Sequence, residues 1–152
     1  MQFIAHAPLA ATGGPFAGRR ERLLVFQCAN DPGLCDEWEP EAGGNAALVV
    51  PAEELVPLMV PAATSDAVLV FPERPLAAVA TEPPDGWLGR LGGEPDWLQA
   101  DETPVCRCGR PMAFVFSLDQ AAADELNFGG LGVGYAFACS VCSSEARWLT
   151  QC

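Results

Sequence analysis

Lysine is missing from this chain of 152 residues, and histidine and tyrosine each occur once. The eight basic side chains are therefore all arginine, set against 20 Asp and Glu, and the formal charge is -12. So acidic a surface argues against nucleic acid or an anionic membrane as the main partner, since both are held by basic faces. A single histidine, His6, leaves no material for a multi-histidine metal site, and on its strand-like apolar stretch it reads as a core or surface residue rather than a ligand or base. Apolar runs are interrupted by proline or charge well before the roughly 18 residues a membrane span needs. The opening Met-Gln-Phe-Ile-Ala-His lacks the basic and apolar regions of a secretory signal, which points to the cytoplasm. There is no Gly-x-Ser-x-Gly elbow and no Walker A sequence. The glycines at 129, 130, 132 and 134 precede a strand, so they read as a tight backbone approach rather than a dinucleotide loop.

Half of the residues are hydrophobic and 18% are charged, enough for one compact domain or two very small lobes. Extended stretches are expected over 2–7, 23–28 and 46–50, and again over 113–118, 133–139 and 146–151. Asn30, Asp31, Pro32 and Gly33 form a strong turn signal. Prolines 51, 57, 61, 72, 75, 83 and 84 chop the middle of the chain into short pieces, with 67–71 the best strand among them. Ser117-x-x-Gln120 matches a capping box and predicts a short helix reaching Leu126. The reading is one domain of two related halves: 1–50, a proline-rich connection over 51–85, and 86–152.

The halves are related by a shift of 111 residues. It places Met1 on Met112, Phe3 on Phe114, Ala10 on Ala121, Ala11 on Ala122, Gly18 on Gly129, Phe26 on Phe137 and Cys28 on Cys139 without a gap. Self-similarity at a fixed spacing is the signature of duplication, although an alanine- and glycine-rich chain also produces matches by chance. In the second copy, Met112 is preceded by Cys106-x-Cys108-Gly109-x-Pro111. The equivalent pair of the first copy would lie before Met1, so the first repeat is expected to be truncated at its start.

The cysteines carry the clearest chemistry. Cys106-x-Cys108, then 30 residues, then Cys139-x-x-Cys142 places one short-spaced pair on each of two loops. Four soft thiolates suit tetrahedral Zn2+, and such a closed set is structural, because a catalytic zinc keeps one position for water. Gly109 allows the turn to fold under the metal and Pro111 stiffens its exit. A thioredoxin-like reading would need a βαβ setting that the surroundings of Cys139 and Cys142 lack. Cys28 and Cys35 flank the turn in the first half and provide two ligands, too few for a structural site. Cys152 reads as a buried thiol at the chain end, with a spare ligand as the other option.

Asp31, Asp36, Glu37, Glu39 and Glu41 cluster after the first core. A solvated acidic loop is the simplest reading of them. Trp38 beside this cluster, with Asp36 and Glu37, forms the candidate partner contact.

The stretch Leu91-Gly92-Gly93-x-Pro95-x-Trp97-Leu98-Gln99, followed by Cys106-x-Cys108-Gly109-x-Pro111-Met112-x-Phe114, resembles the repeat of the bacterial YwqG-like family of uncharacterised domains. Gly132-x-Gly134-Tyr135-x-Phe137-x-Cys139-x-x-Cys142 and Trp148-Leu149-x-Gln151-Cys152 extend the resemblance. That family is similar to the eukaryotic programmed-cell-death-protein-2 group, which is also duplicated and is implicated in escorting a ribosomal protein. The resemblance implies an α+β, strand-rich duplicated fold of antiparallel strands, with a zinc knuckle pair in the second copy. It offers no established enzymatic activity to carry over.

The expectation is thus a zinc-stabilised protein- or peptide-binding module, escort-like, with no catalytic residues. The charge favours a basic client by electrostatic steering, although solubility alone also accounts for an acidic chain. Alternatives are a small thiol-dependent enzyme using Cys28 or Cys35 near Asp31 and Asp36, or an immunity-type protein that binds a basic toxin. The nearby carboxylates would oppose the depressed thiol pKa that such an enzyme needs.

Overall fold

A computed structural model describes residues 1–30, 34–56, 75–81, 87–122 and 126–152. The first half folds as a three-stranded antiparallel sheet of β1 (Gln2–Pro8), β2 (Glu21–Gln27) and β3 (Asn45–Pro51), in that order. The second half forms a four-stranded antiparallel sheet of β4 (Gly89–Leu91), β5 (Ala113–Asp119), β6 (Val133–Ala138) and β7 (Ala146–Gln151), again in sequence order. Six of these strands coincide with the extended stretches that the apolar patterning marks, within two residues at each end. Strand β4 has no such patterning. It exists because Gly89 lets the chain approach β5 closely: a Cβ there would lie 2.1 Å from the Ser117 carbonyl oxygen.

The hairpins β1–β2 and β5–β6 share one register. The β1–β2 pairs Gln2 with Gln27, Phe3 with Phe26 and Ala5 with Val25 become Ala113 with Ala138, Phe114 with Phe137 and Phe116 with Ala136 in β5–β6. The remaining pairs follow the same shift of 111, and the irregularity between Phe3 and Ala5 recurs between Phe114 and Phe116. A bulge moves every later side chain to the other face, so its placement governs which residues enter the core.

Helix among the described residues is limited to 3-10 turns at Leu9–Thr12, Gly14–Phe16, Ala52–Glu54 and Gln120–Ala122. The capping role expected of Ser117 is not met. Ser117 is buried within β5, paired with Tyr135, so its backbone is engaged in the ladder and cannot open a helix. Residues 123–125 of the expected helix, the strand expected over 67–71 and Asp31, Pro32 and Gly33 of the expected turn lie outside the described residues. Among the described residues no helix is long and apolar enough to cross a membrane.

The main core lies between the sheets. Leu9, Phe16, Leu23 and Val25 of the first half meet Val115, Leu118, Ala136 and Trp148 of the second. Strand β2 obeys period two, burying Leu23, Val25 and Gln27. Strand β6 does not: from Gly134 to Ala138 every residue is buried. Ala136 and Ala138 face the core between the sheets, and Tyr135 and Phe137 join a second cluster with Cys106, Met112, Phe114, Cys139 and Leu149. A sheet covered on both faces reads as a continuous apolar run. The glycine run before β6 makes the close approach its composition implies. A Cβ at Gly132 would lie 1.9 Å from the Phe128 carbonyl oxygen, and one at Gly134 would lie 2.1 Å from the Trp148 ring.

Candidate functional site

The second cluster carries the cysteines at one end. Cys106 and Cys108 sit on a tight turn before β5, closed by a bond from the Cys106 N–H to the Arg110 carbonyl at 2.8 Å and from the Gly109 N–H to the Cys106 carbonyl at 2.8 Å. Val105 and Pro111 pair as a bridge at its base. Gly109 has φ +82, a conformation that ordinary side chains resist, which is why the residue after Cys108 is glycine. Cys139 follows the last residue of β6, and its N–H donates to the Glu145 carbonyl at 2.8 Å across the loop that holds Cys142.

All four sulfurs lie within 4.8 Å of one another. The Cys108 and Cys139 sulfurs are 3.8 Å apart, matching the edge of about 3.8 Å that follows from four Zn–S bonds of about 2.3 Å in a tetrahedron. Cys106 and Cys139 are buried, Cys142 is half-buried and Cys108 is exposed. The set is compatible with a metal ion held at the rim of the apolar cluster. Its protons are unequally held. The Cys142 N–H donates to the Cys139 sulfur at 3.2 Å, and this bond leads the causes that bring the Cys139 thiol down to about 7. Cys142 is pushed up to about 12, first by its hydrogen bond with Cys108 and then by Cys106 and burial. The Cys139 thiolate is thus stabilised while Cys142 keeps its proton.

The candidate partner residues separate. Glu37 and Trp38 line a cleft of about 820 Å³ between the halves, and Asp36 is absent from its lining. Glu37 is only 6% exposed, and its Oε2 accepts the Cys35 N–H at 3.3 Å. Trp38 is 41% exposed. Its carbonyl accepts the Thr150 N–H at 3.4 Å, which fastens this loop to β7. The opposite wall brings Glu102, Gln99, Asn127 and Gln151. Gln151 is buried and tied down: its Nε2 donates to the Ala100 carbonyl at 2.8 Å and the Glu102 Oε2 at 3.1 Å, and its Oε1 accepts the Gln99 N–H at 3.0 Å.

The sequence reading gave Gln27, Glu102 and Gln151 no place in a site, and Gln151 entered it only as a residue of the closing motif. A signal for two of them was present, because Gln27 stands in phase with Leu23 and Val25, and Gln151 with Leu149. A polar residue on an apolar strand face must find hydrogen bonds on burial. Cys152 requires a correction. It is exposed and stands outside the four-sulfur set, above Gly129, where a Cβ would lie 2.6 Å from its sulfur. His6, on β1, faces Arg22 across the strands, its Nδ1 2.9 Å from the guanidinium. No protein-family model matches the chain, and neither a curated protein nor a solved structure matches it.

Proposed function

We propose that the chain is a zinc-stabilised module that binds a protein or peptide client through basic side chains, in an escort-like role without catalysis. The observation that carries the reading is the cleft between the halves. Glu37, Glu39 and Glu102 and the indole of Trp38 line it, and no arginine does among the described residues. Carboxylates attract a guanidinium or ammonium group from a distance, and an exposed indole face receives it by cation–π contact. Gln27 and Gln151 are already fixed by hydrogen bonds, which lowers the ordering cost of binding.

The zinc assignment for Cys106, Cys108, Cys139 and Cys142 rests on the four-sulfur geometry and the soft donor set. The metal would clamp the loops before β5 and after β6, and so hold the second apolar cluster together. The common register of the two hairpins supports an origin by duplication, in line with the resemblance to the YwqG-like repeat. A cytoplasmic setting agrees with a site made of thiolates.

Isothermal titration of the zinc-loaded protein with an arginine-rich peptide, and with an acidic peptide of equal length, tests the client reading. The arginine-rich peptide binds, its affinity falls as salt is raised, and the double variant Glu39→Gln/Glu102→Gln weakens it by at least about tenfold. Equal binding of both peptides, or an unaffected double variant, would sink the reading.

A further inference from the structure

The first half holds a second pair of sulfurs outside the metal set. Cys28 leaves β2 as Cys139 leaves β6, and the backbone is held alike at both positions: the Cys28 N–H donates to the Gly44 carbonyl at 2.7 Å, the Cys139 N–H to the Glu145 carbonyl at 2.8 Å. At Cys28 the neighbouring sulfur is that of Cys35, 3.2 Å away. The four-sulfur set of Cys106, Cys108, Cys139 and Cys142 does not include this pair. The pair's spacing is shorter than the edge of about 3.8 Å for sulfurs sharing a tetrahedral zinc. It exceeds a disulfide bond of about 2.05 Å by little more than 1 Å.

The surroundings define what closure would do. Gly44 backs Cys35 so tightly that a Cβ there would lie 2.1 Å from the Cys35 carbonyl oxygen. The Cys35 N–H is bonded to Glu37, whose neighbour Trp38 lines the cleft. Both residues are half-buried rather than sealed in the core.

We propose that Cys28 and Cys35 are a thiol–disulfide exchange site that closes reversibly on reaction with a low-molecular-weight disulfide. One protein thiolate attacks a sulfur of that disulfide, forms a mixed disulfide and expels the first small thiolate. The second protein thiolate then attacks the protein sulfur of the mixed bond. The Cys28–Cys35 bond forms and the second small thiolate leaves. Two electrons pass from the protein sulfurs to the small disulfide, and the two protons given up by the protein thiols are taken up by the two small thiols. The second step is favoured because its nucleophile is already 3.2 Å from the sulfur it attacks. No depressed thiol pKa is needed, since proximity sets the equilibrium. Closure ties the start of the acidic loop to the end of β2 and fixes the segment that leads to Glu37 and Trp38.

The test uses the full zinc-loaded chain in buffers of reduced and oxidised glutathione, with alkylation to trap thiols and mass analysis of the tryptic fragment 23–90, which contains only these two cysteines. At an oxidising ratio the fragment loses two hydrogens, takes up neither alkyl group nor glutathione, and regains both thiols with dithiothreitol. In Cys35→Ser, Cys28 accumulates as the mixed disulfide. Exposed Cys152 reports in the same digest that exchange took place. If both cysteines stay alkylatable while Cys152 carries glutathione, or if each carries its own glutathione, the proposal is overturned.

Discussion

The indole N–H of Trp148 donates to the side-chain oxygen of Gln27 at 3.0 Å in the buried interior. One residue ends β2 of the first sheet and the other lies in β7 of the second, so this bond crosses the junction between the halves. The same Gln27 donates from Nε2 to the Asn127 carbonyl at 3.0 Å. On the surface above, Arg147 binds Glu41 at 2.9 Å and again joins the second sheet to the loop of the first half. The cleft is therefore built on a junction fixed by polar bonds as well as by apolar packing.

Replacing Gln27 with Leu keeps the bulk and removes both bonds. The buried indole N–H and the Asn127 carbonyl then lose their partners, and the loss of an amide partner at a buried donor costs about 1–3 kcal/mol. Urea unfolding followed by tryptophan fluorescence should show a lower midpoint with an unchanged slope. A variant as stable as the parent would mean that the bond contributes nothing net.

The glycines offer a sharper contrast. Gly134→Ala places a methyl group where the Trp148 ring stands, 2.1 Å from its atoms, and that ring is fully buried. Overpacking of this kind costs typically about 1–3 kcal/mol and here stands at its upper end or beyond, because neither sheet nor ring has room to give way. Gly130→Ala meets nothing within 4 Å, and its φ of +83 leaves only the conformational strain, about 1–2 kcal/mol. Thermal unfolding of the two variants should rank them in that order.

In the proposed zinc site, metal and proton would compete for the same sulfurs. Four thiolates are required, while Cys142 holds its proton up to about 12 and Cys139 sheds its proton near 7. Zinc binding must therefore release protons, and affinity rises with pH across the whole neutral range. Below about 7 the fall steepens as Cys139 takes up its proton again. Competition against a chromophoric chelator from about pH 6 to 9 measures this slope. Removal of the metal lowers stability by about 4 kcal/mol relative to protein in free zinc at about 1,000 times Kd. Cys139→Ser should remove the steepening below about 7 and weaken the stabilisation by zinc.

The strands and the four cysteines were legible in the sequence because each rests on local information. Short apolar runs mark β1, β2 and β3, and short Cys spacings fix which sulfurs share a turn. The bulge register was also encoded, since Phe3, Phe26, Phe114 and Phe137 keep their cross-strand partners under the 111-residue shift. What was not legible depends on distant chain segments meeting. β4 has three residues and forms only because β5 offers an edge beside Gly89. The cleft joins residues near 37 with residues near 102 and 151, and no spacing announces that contact. Ser117 misled for the converse reason: its local capping signal was overridden by the ladder with β6.

Tyr135 provides the last test, and it is spectroscopically isolated because the chain has one tyrosine. Its ring is fully buried on β6, against Trp97 and beneath the segment leading to the cysteines. The hydroxyl donates to the Asp96 carbonyl at 2.9 Å and accepts the Leu98 N–H at 2.8 Å. Burial raises the pKa of this phenol above its ordinary 10.0, with the charges of Asp96 and Asp119 adding to the rise and the Leu98 N–H opposing it. In the unfolded chain the phenol ionises at the ordinary value, so between the two values the folded protein holds a proton that the unfolded one has lost. The stability from this group is fully present below about pH 10 and falls as pH rises through the folded value. Alkaline titration should therefore show tyrosinate absorbance rising later than in a free tyrosine, in step with loss of near-ultraviolet dichroism. Tyr135→Phe removes this alkaline dependence and, by leaving the Leu98 N–H and the Asp96 carbonyl without their bonds, lowers stability at neutral pH by about 1–3 kcal/mol. Tyrosinate absorbance with an ordinary midpoint in the intact fold would show that the hydroxyl is solvated and that the segment carrying Trp97 does not close over β6.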